Sequence, residues 1–140
     1  MQARELSHFE KTFANAIDPL PPEFIAAGLQ FLECEESETA LGFNSTFVFI
    51  NSISGVKIWV SVGKSGILST LVILNEHKYF VLDHYLTAHH RHVERDALFF
   101  MQQDPIAYLR LLRKLVASDW KDIILGKRWE EVRDSWRDDY

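Results

Sequence analysis

Residues 43–82 read FNSTFVFINSISGVKIWVSVGKSGILSTLVILNEHKYFVL, and the pattern within them decides the fold. In Phe43–Asn51 the apolar side chains alternate, with Phe43, Phe47 and Phe49 on one face and Val48 and Ile50 on the other. Ser52–Gly55 is a turn. Val56, Ile58, Val60 and Val62 then form an inward row opposite Lys57, Trp59 and Ser61, the period-two signature of a half-buried strand. Gly63-Lys64-Ser65-Gly66 is a hairpin loop whose glycines are free to take positive φ. Ile67–Leu74 is apolar on both faces, which places it centrally in a sheet. Asn75-Glu76-His77 turns the chain into Lys78–Leu82, a final short strand.

Helices flank this meander. Leu6, Phe9, Phe13, Ala16 and Ile17 recur at helical spacing, so Ala3–Ile17 reads as an amphipathic helix that Asp18-Pro19-Leu20-Pro21-Pro22 stops. Pro22 suits the first turn of a short helix over Glu23–Ala27, with Gly28 as its C-terminal cap. Leu29–Glu35 fits a helix or a strand; the edge strand is preferred, because Gly28 interrupts the helix and Glu33 and Glu35 fall on one face. After the sheet, Asp83 is a candidate N-cap for a helix from His84 to about His92. Asp104-Pro105 is a stronger start, and Ile106, Leu109, Leu112, Val116, Trp120 and Ile123 carry one stripe through Leu125 to Gly126. Trp129, Val132 and Trp136 suggest a last amphipathic turn or two. The expected fold is α+β: residues 1–140 as a single domain, with an N-terminal helix, an antiparallel sheet of four or five strands, and C-terminal helices packed on the sheet.

Composition narrows the function. The chain has 140 residues, 47% hydrophobic and 25% charged, ordinary for a folded domain with its own core. It holds no apolar run near the ~20 residues of a spanning helix and no basic-then-apolar leader, so a cytoplasmic protein is expected. Its lone Cys34 lacks an internal disulfide partner, which fits a reducing compartment. The net charge of −5 is uneven: residues 1–42 hold eight acids against two bases, residues 43–82 one acid against three bases, and the rest is nearly balanced. An acidic front end disfavours nucleic acid and anionic membranes, which need clustered Lys and Arg, and suits a basic protein surface.

Few residues suggest chemistry. His84, His89, His90 and His92 crowd together beside Asp83, Glu94 and Asp96, but no metal-ligand motif is present, and a solvated helix end accounts for them. Acids around Cys34 raise rather than lower a thiol's pKa, so an inert, half-buried cysteine is expected. Gly63–Gly66 lacks the spacing and strand-to-helix context of a phosphate loop. Asp119 and Asp122 read as surface charge beside Lys121, Lys127 and Arg128. Trp120, Trp129 and Trp136 are expected to pack helices on the sheet. Trp59, opposite the inward row, is either covered by helices or an exposed contact residue. Glu33, Glu35, Glu36 and Glu38 put four carboxylates in six residues on an edge strand and its turn. They either keep a solvated edge from aggregating or meet an electropositive partner.

The layout resembles the immunity proteins of contact-dependent inhibition and polymorphic toxin systems. The likeness rests on Glu23–Leu29 leading into a strand, the meander Phe43–Leu82, and the ending Leu115-Val116-Ala117 followed by Asp122-Ile123-Ile124-Leu125-Gly126. The resemblance implies a non-enzymatic, cytoplasmic bacterial protein that binds a cognate toxin domain and blocks it; from the residues themselves, no cofactor or metal is expected. Acidic immunity proteins often cover basic nuclease sites, which makes the glutamate cluster the natural contact, with Trp59 as an apolar anchor. The resemblance brings no contact motif of its own. The rival classes are a small metal-binding or enzymatic domain built on His84–His92, and an adaptor or secretion-chaperone-like protein.

Overall fold

Ser7 sets the start of the first described helix. In the computed structural model, which describes residues 5–39, 42–75, 78–127 and 137–138, helix α1 spans His8–Ala16. The expected start at Ala3 is corrected, because Ser7 and Glu10 form a capping box. Ser7 Oγ accepts from the Glu10 N–H at 3.1 Å, and Glu10 Oε1 accepts from the Ser7 N–H at 2.9 Å. Glu10 is almost fully buried and also accepts a hydrogen bond from Ser45 Oγ in the sheet.

Helix α2 (Pro22–Ala26) begins on proline as expected, and Gly28 follows it at φ +76°. Six strands come next in a meander: β1 (Leu29–Thr39), β2 (Gly42–Asn51), β3 (Lys57–Val62), β4 (Ile67–Asn75), β5 (Lys78–Val81) and, near the C-terminus, the two-residue β6 (Arg137–Asp138). All neighbours are antiparallel, and the spatial order is the sequence order. The chain is thus an α+β fold on a five-stranded antiparallel meander, with β6 added to the β5 edge. β5 is not the last strand, and it stops at Val81 because Leu82 already opens a helix.

The register sorts side chains between two faces. One face carries Phe47 and Phe49 of β2, Ile58, Val60 and Val62 of β3, Val72 of β4 and Phe80 of β5, all buried. Helices cover it. Phe13 of α1 meets Phe47 at 5.0 Å between ring centroids, and Phe24 of α2 meets Phe49 edge-on at 5.1 Å. Tyr108, Leu112 and Leu115 of α5 (Pro105–Ala117) complete the same core, with the Tyr108 hydroxyl hydrogen-bonded to Thr70 at 2.6 Å. Trp120 is buried against Phe80 and Tyr85, which places it in packing. Trp129, Val132 and Trp136 lie outside the described residues.

Two junctions fix the elements to one another. At the first, the Asn51 side chain donates from Nδ2 to the Ala27 carbonyl and accepts at Oδ1 from the Ile53 and Ser54 N–H groups, each at 3.0 Å. A Cβ on Gly28 would lie 2.8 Å from Asn51 Nδ2. At the second, the Ile67 N–H donates to the Gln102 carbonyl at 2.7 Å, and Gly66 (φ +147°) lies so close that a Cβ there would overlap that carbonyl oxygen.

The helices after the sheet differ from expectation. In place of one helix over His84–His92 there are two, α3 (Leu82–Ala88) and α4 (His92–Met101). His90 takes φ +56°, the His90 N–H bonds back to the Thr87 carbonyl and the Arg91 N–H to the Leu86 carbonyl, the double closure of a Schellman turn with histidine where glycine is usual. Asp83 does not cap α3; its carboxylate accepts from the next N–H, that of His84. Asp104 does cap α5, accepting from the Ile106 and Ala107 N–H groups at 3.1 and 3.2 Å. The stripe through Leu125 is broken at Ser118, and α6 (Lys121–Ile124) resumes it separately.

Candidate functional site

Among the described strands β1 lies at one end of the sheet, and its register divides the glutamate cluster. Leu29, Gln30 and Phe31 pair with Asn51, Ile50 and Phe49; a bulge follows, and from Glu33 onward the pairing is regular again, Glu33 with Val48 through Thr39 with Gly42. Cys34 and Glu36 therefore share the helix-bearing face with Phe47 and Ser45, as does Glu38 by alternation. Glu33 and Glu35 stand on the opposite face. All four glutamates are exposed, and so is Cys34, which corrects the expected half-buried thiol: at the sheet edge the helices do not reach over it.

The opposite face is where the remaining candidate comes in. Glu33, Val48, Trp59, Leu71 and Val81 form one row across the five strands, and Glu35, Thr46, Ser61 and Ser69 form the next. Trp59 is thus two strands from Glu33, about 10 Å at ordinary strand spacing. Trp59, Leu71, Ile73 and Tyr79, with Lys57 and Asn75, line a groove of about 570 Å³. The indole Nε1–H of Trp59 is shielded from solvent and has no acceptor among the described residues. Sequence reading identified Trp59 and missed Leu71, Ile73 and Tyr79. The signal was there in the two-sided apolar run of β4, which marks the second face as apolar as well as the first.

Electrostatics concentrate at the rim of this face. Glu35 is hydrogen-bonded to Glu33 and repelled by its charge, and together these hold the Glu35 carboxyl above the ordinary glutamate range; Lys57, across the sheet, pulls weakly the other way. Two carboxylates two residues apart on one strand face cannot avoid each other. A cation placed between them would relieve both.

The histidines do not converge. His89 stacks on Tyr85 at 4.3 Å, half-buried, while the rings of His90 and His92 lie 5.8 Å apart at the exposed α3–α4 turn. His84 lines a separate shallow hollow with Arg95 and Phe99. Among the described residues, no group of three or more His, Cys, Asp or Glu side chains gathers as a metal site. Asp119 is not solvated surface charge: it ion-pairs with Arg91 and accepts from the Tyr85 hydroxyl at 3.1 Å. Burial opposes its ionisation, but the Arg91 guanidinium, helped by Ser118 and Tyr85, outweighs burial and holds the carboxyl below its usual range.

No described helix is long and apolar enough to cross a membrane. Comparison with protein-family models, with curated proteins and with solved structures returns no match.

Proposed function

We propose that this chain is a non-enzymatic protein-binding module that blocks a cognate toxin domain with a basic surface. The observation that carries the reading is the strand register. It sets Glu33 and Glu35 on the same sheet face as an apolar groove containing Trp59, with Glu33 two strands from Trp59 in the same row. Protein interfaces are commonly built this way, with anchoring aromatics inside and steering charge outside. Glu36 and Glu38 reach the same edge from the other face, so a partner gripping β1 meets four carboxylates. The resemblance to immunity proteins supplies the identity of the partner class, and the action is occlusion rather than catalysis.

Affinity capture of the tagged chain from its native host, followed by mass spectrometry, tests this. The expected result is one stoichiometric basic protein that is toxic when expressed alone and harmless when co-expressed with this chain. Replacing Glu33, Glu35, Glu36 and Glu38 with glutamine should weaken that complex at low salt and flatten its salt dependence. Unchanged affinity and salt slope in the four-glutamine variant would sink the assignment of the contact surface.

A further inference from the structure

Helix α4 buries Leu98 and turns large apolar side chains the other way: Val93 is 81% exposed, Phe99 65% and Phe100 73%. The rings of Phe99 and Phe100 meet edge-on with centroids 5.6 Å apart, and Phe99 shares a hollow with Leu68 of β4, itself 40% exposed. An aromatic side chain carries about 150–250 Å² of surface, so these four side chains leave roughly 500 Å² of apolar surface open to solvent. The largest patch on an ordinary monomer is about 300–600 Å² and often functional. A standard interface takes about 800 Å² from each partner, so this patch is enough for the apolar core of one, with its polar neighbours as the rim. The spacing also makes the patch self-complementary. Val93, Asp96 and Phe100, three and four residues apart, follow one another along the outward stripe of α4, and Arg95 flanks them. Arg95 and Asp96 pair with each other at 3.2 Å, so their charges cancel within one chain, and a strongly acidic or basic partner finds no net charge there to oppose its own.

We infer that the outward face of α4 is a self-association surface, on which a second copy of this chain packs its own α4 antiparallel about a two-fold axis between Asp96 and Ala97. Positions 93 and 100 lie equally far to either side of that point, so Val93 of each copy faces Phe100 of the other. The two Asp96 carboxylates come close to the axis, and Arg95 of each copy can bridge to Asp96 of the other, which keeps the contact neutral as a whole. The inference goes beyond the protein-binding reading above. It uses neither the glutamates of β1 nor the Trp59 groove, so each copy in the dimer keeps its own.

Sedimentation equilibrium of the full chain at roughly 1–200 μM tests this, since interfaces of this size span affinities from micromolar downward. The expected result is a reversible monomer–dimer equilibrium, weakened at least tenfold by the double substitution Phe99→Ser/Phe100→Ser. Both rings are exposed, so this variant should keep the parent's fold, which circular dichroism checks. Orientation is read in a Cys34→Ser background. Chains carrying Val93→Cys mixed with chains carrying Phe100→Cys should cross-link on oxidation faster than either chain alone. Unlike positions face each other, whereas like positions stay about 10 Å apart along the helix axis. A chain that stays monomeric throughout, or a dimer that the double serine substitution leaves unchanged, would overturn the inference. Like chains that cross-link as readily as mixed ones would overturn the antiparallel two-fold arrangement. A chain monomeric by itself, whose serine variant no longer holds a captured partner, would give the patch to that partner and so overturn self-association as well.

Discussion

Replacing Asn51 should loosen the place where α2, the start of β1 and the β2–β3 turn meet. Its side chain is 4% exposed and makes three hydrogen bonds, one donated to the Ala27 carbonyl and two accepted from Ile53 and Ser54. At about 1 kcal/mol net per bond, Asn51→Ala loses roughly 3 kcal/mol if nothing compensates. Ile53 is 97% exposed, so water can replace the bonds at the turn in part; the Ala27 carbonyl, beside a buried residue, has no such access. The expected cost is therefore about 2–3 kcal/mol, a large share of a typical 5–15 kcal/mol. Asn51→Asp separates the two roles. It keeps both acceptor bonds but sets a carboxylate oxygen against the Ala27 carbonyl. Protonation restores a donor there, so the introduced carboxyl should titrate higher in the folded chain than in the unfolded one. A carboxyl of that kind makes stability fall as pH rises, so this variant should be weakened at neutral pH and recover on acidification relative to the parent. Urea unfolding at neutral and mildly acidic pH, with m-values compared, reads both effects. A loss below about 1 kcal/mol for alanine, or an aspartate variant that tracks alanine at both pH values, would refute the account of this junction.

Gly66→Ala should be destabilised by about 2–4 kcal/mol, because the new Cβ meets the Gln102 backbone at a positive φ; thermal unfolding reads this, and a neutral substitution would mean the hairpin and α4 are not in contact. Asp119→Asn should cost about 1–3 kcal/mol at neutral pH, since Asp119 and Arg91 are only 20% and 26% exposed. The Asp119 carboxyl titrates below its ordinary range, so its contribution is full above that range and disappears as pH falls through it and below. The gap between parent and Asp119→Asn should therefore close in acid denaturation profiles; a gap that persists at low pH would contradict the pairing with Arg91.

Much of the fold was legible because β2, β3 and α5 carry strong local signals. Phe47 and Phe49 alternate with Val48, Val56–Val62 alternate with Lys57, Trp59 and Ser61, and Asp104-Pro105 announces a helix start. What escaped depended on weaker or non-local cues. The α3–α4 break falls at His90, where no glycine marks the turn, and it is held by bonds from the His90 and Arg91 N–H groups back to the preceding helix. The α1 start was masked because Leu6 extends the apolar stripe before Ser7 caps it. At the candidate site, residue types were readable but their faces were not. A single bulge between Phe31 and Glu33 determines which glutamates join Trp59, and no residue at that point announces it. Ion pairs such as Arg113 with Glu23, ninety positions apart, are beyond any local reading.

That last pair points to how the chain is made. The meander connects neighbours only, so β1 to β5 can zip together as they leave the ribosome. Their apolar face, including Phe47 and Phe49, acquires much of its cover only when Pro105–Ala117 arrives to pack with α1 and α2. At about 5–20 residues per second, the interval between completing β2 at Asn51 and completing α5 at Ala117 is roughly 3–13 s. During those seconds the nascent chain presents a half-built sheet to its surroundings. A message truncated before α5, or a ribosome stalled there, leaves that surface uncovered and makes the fragment a substrate for chaperones and proteases.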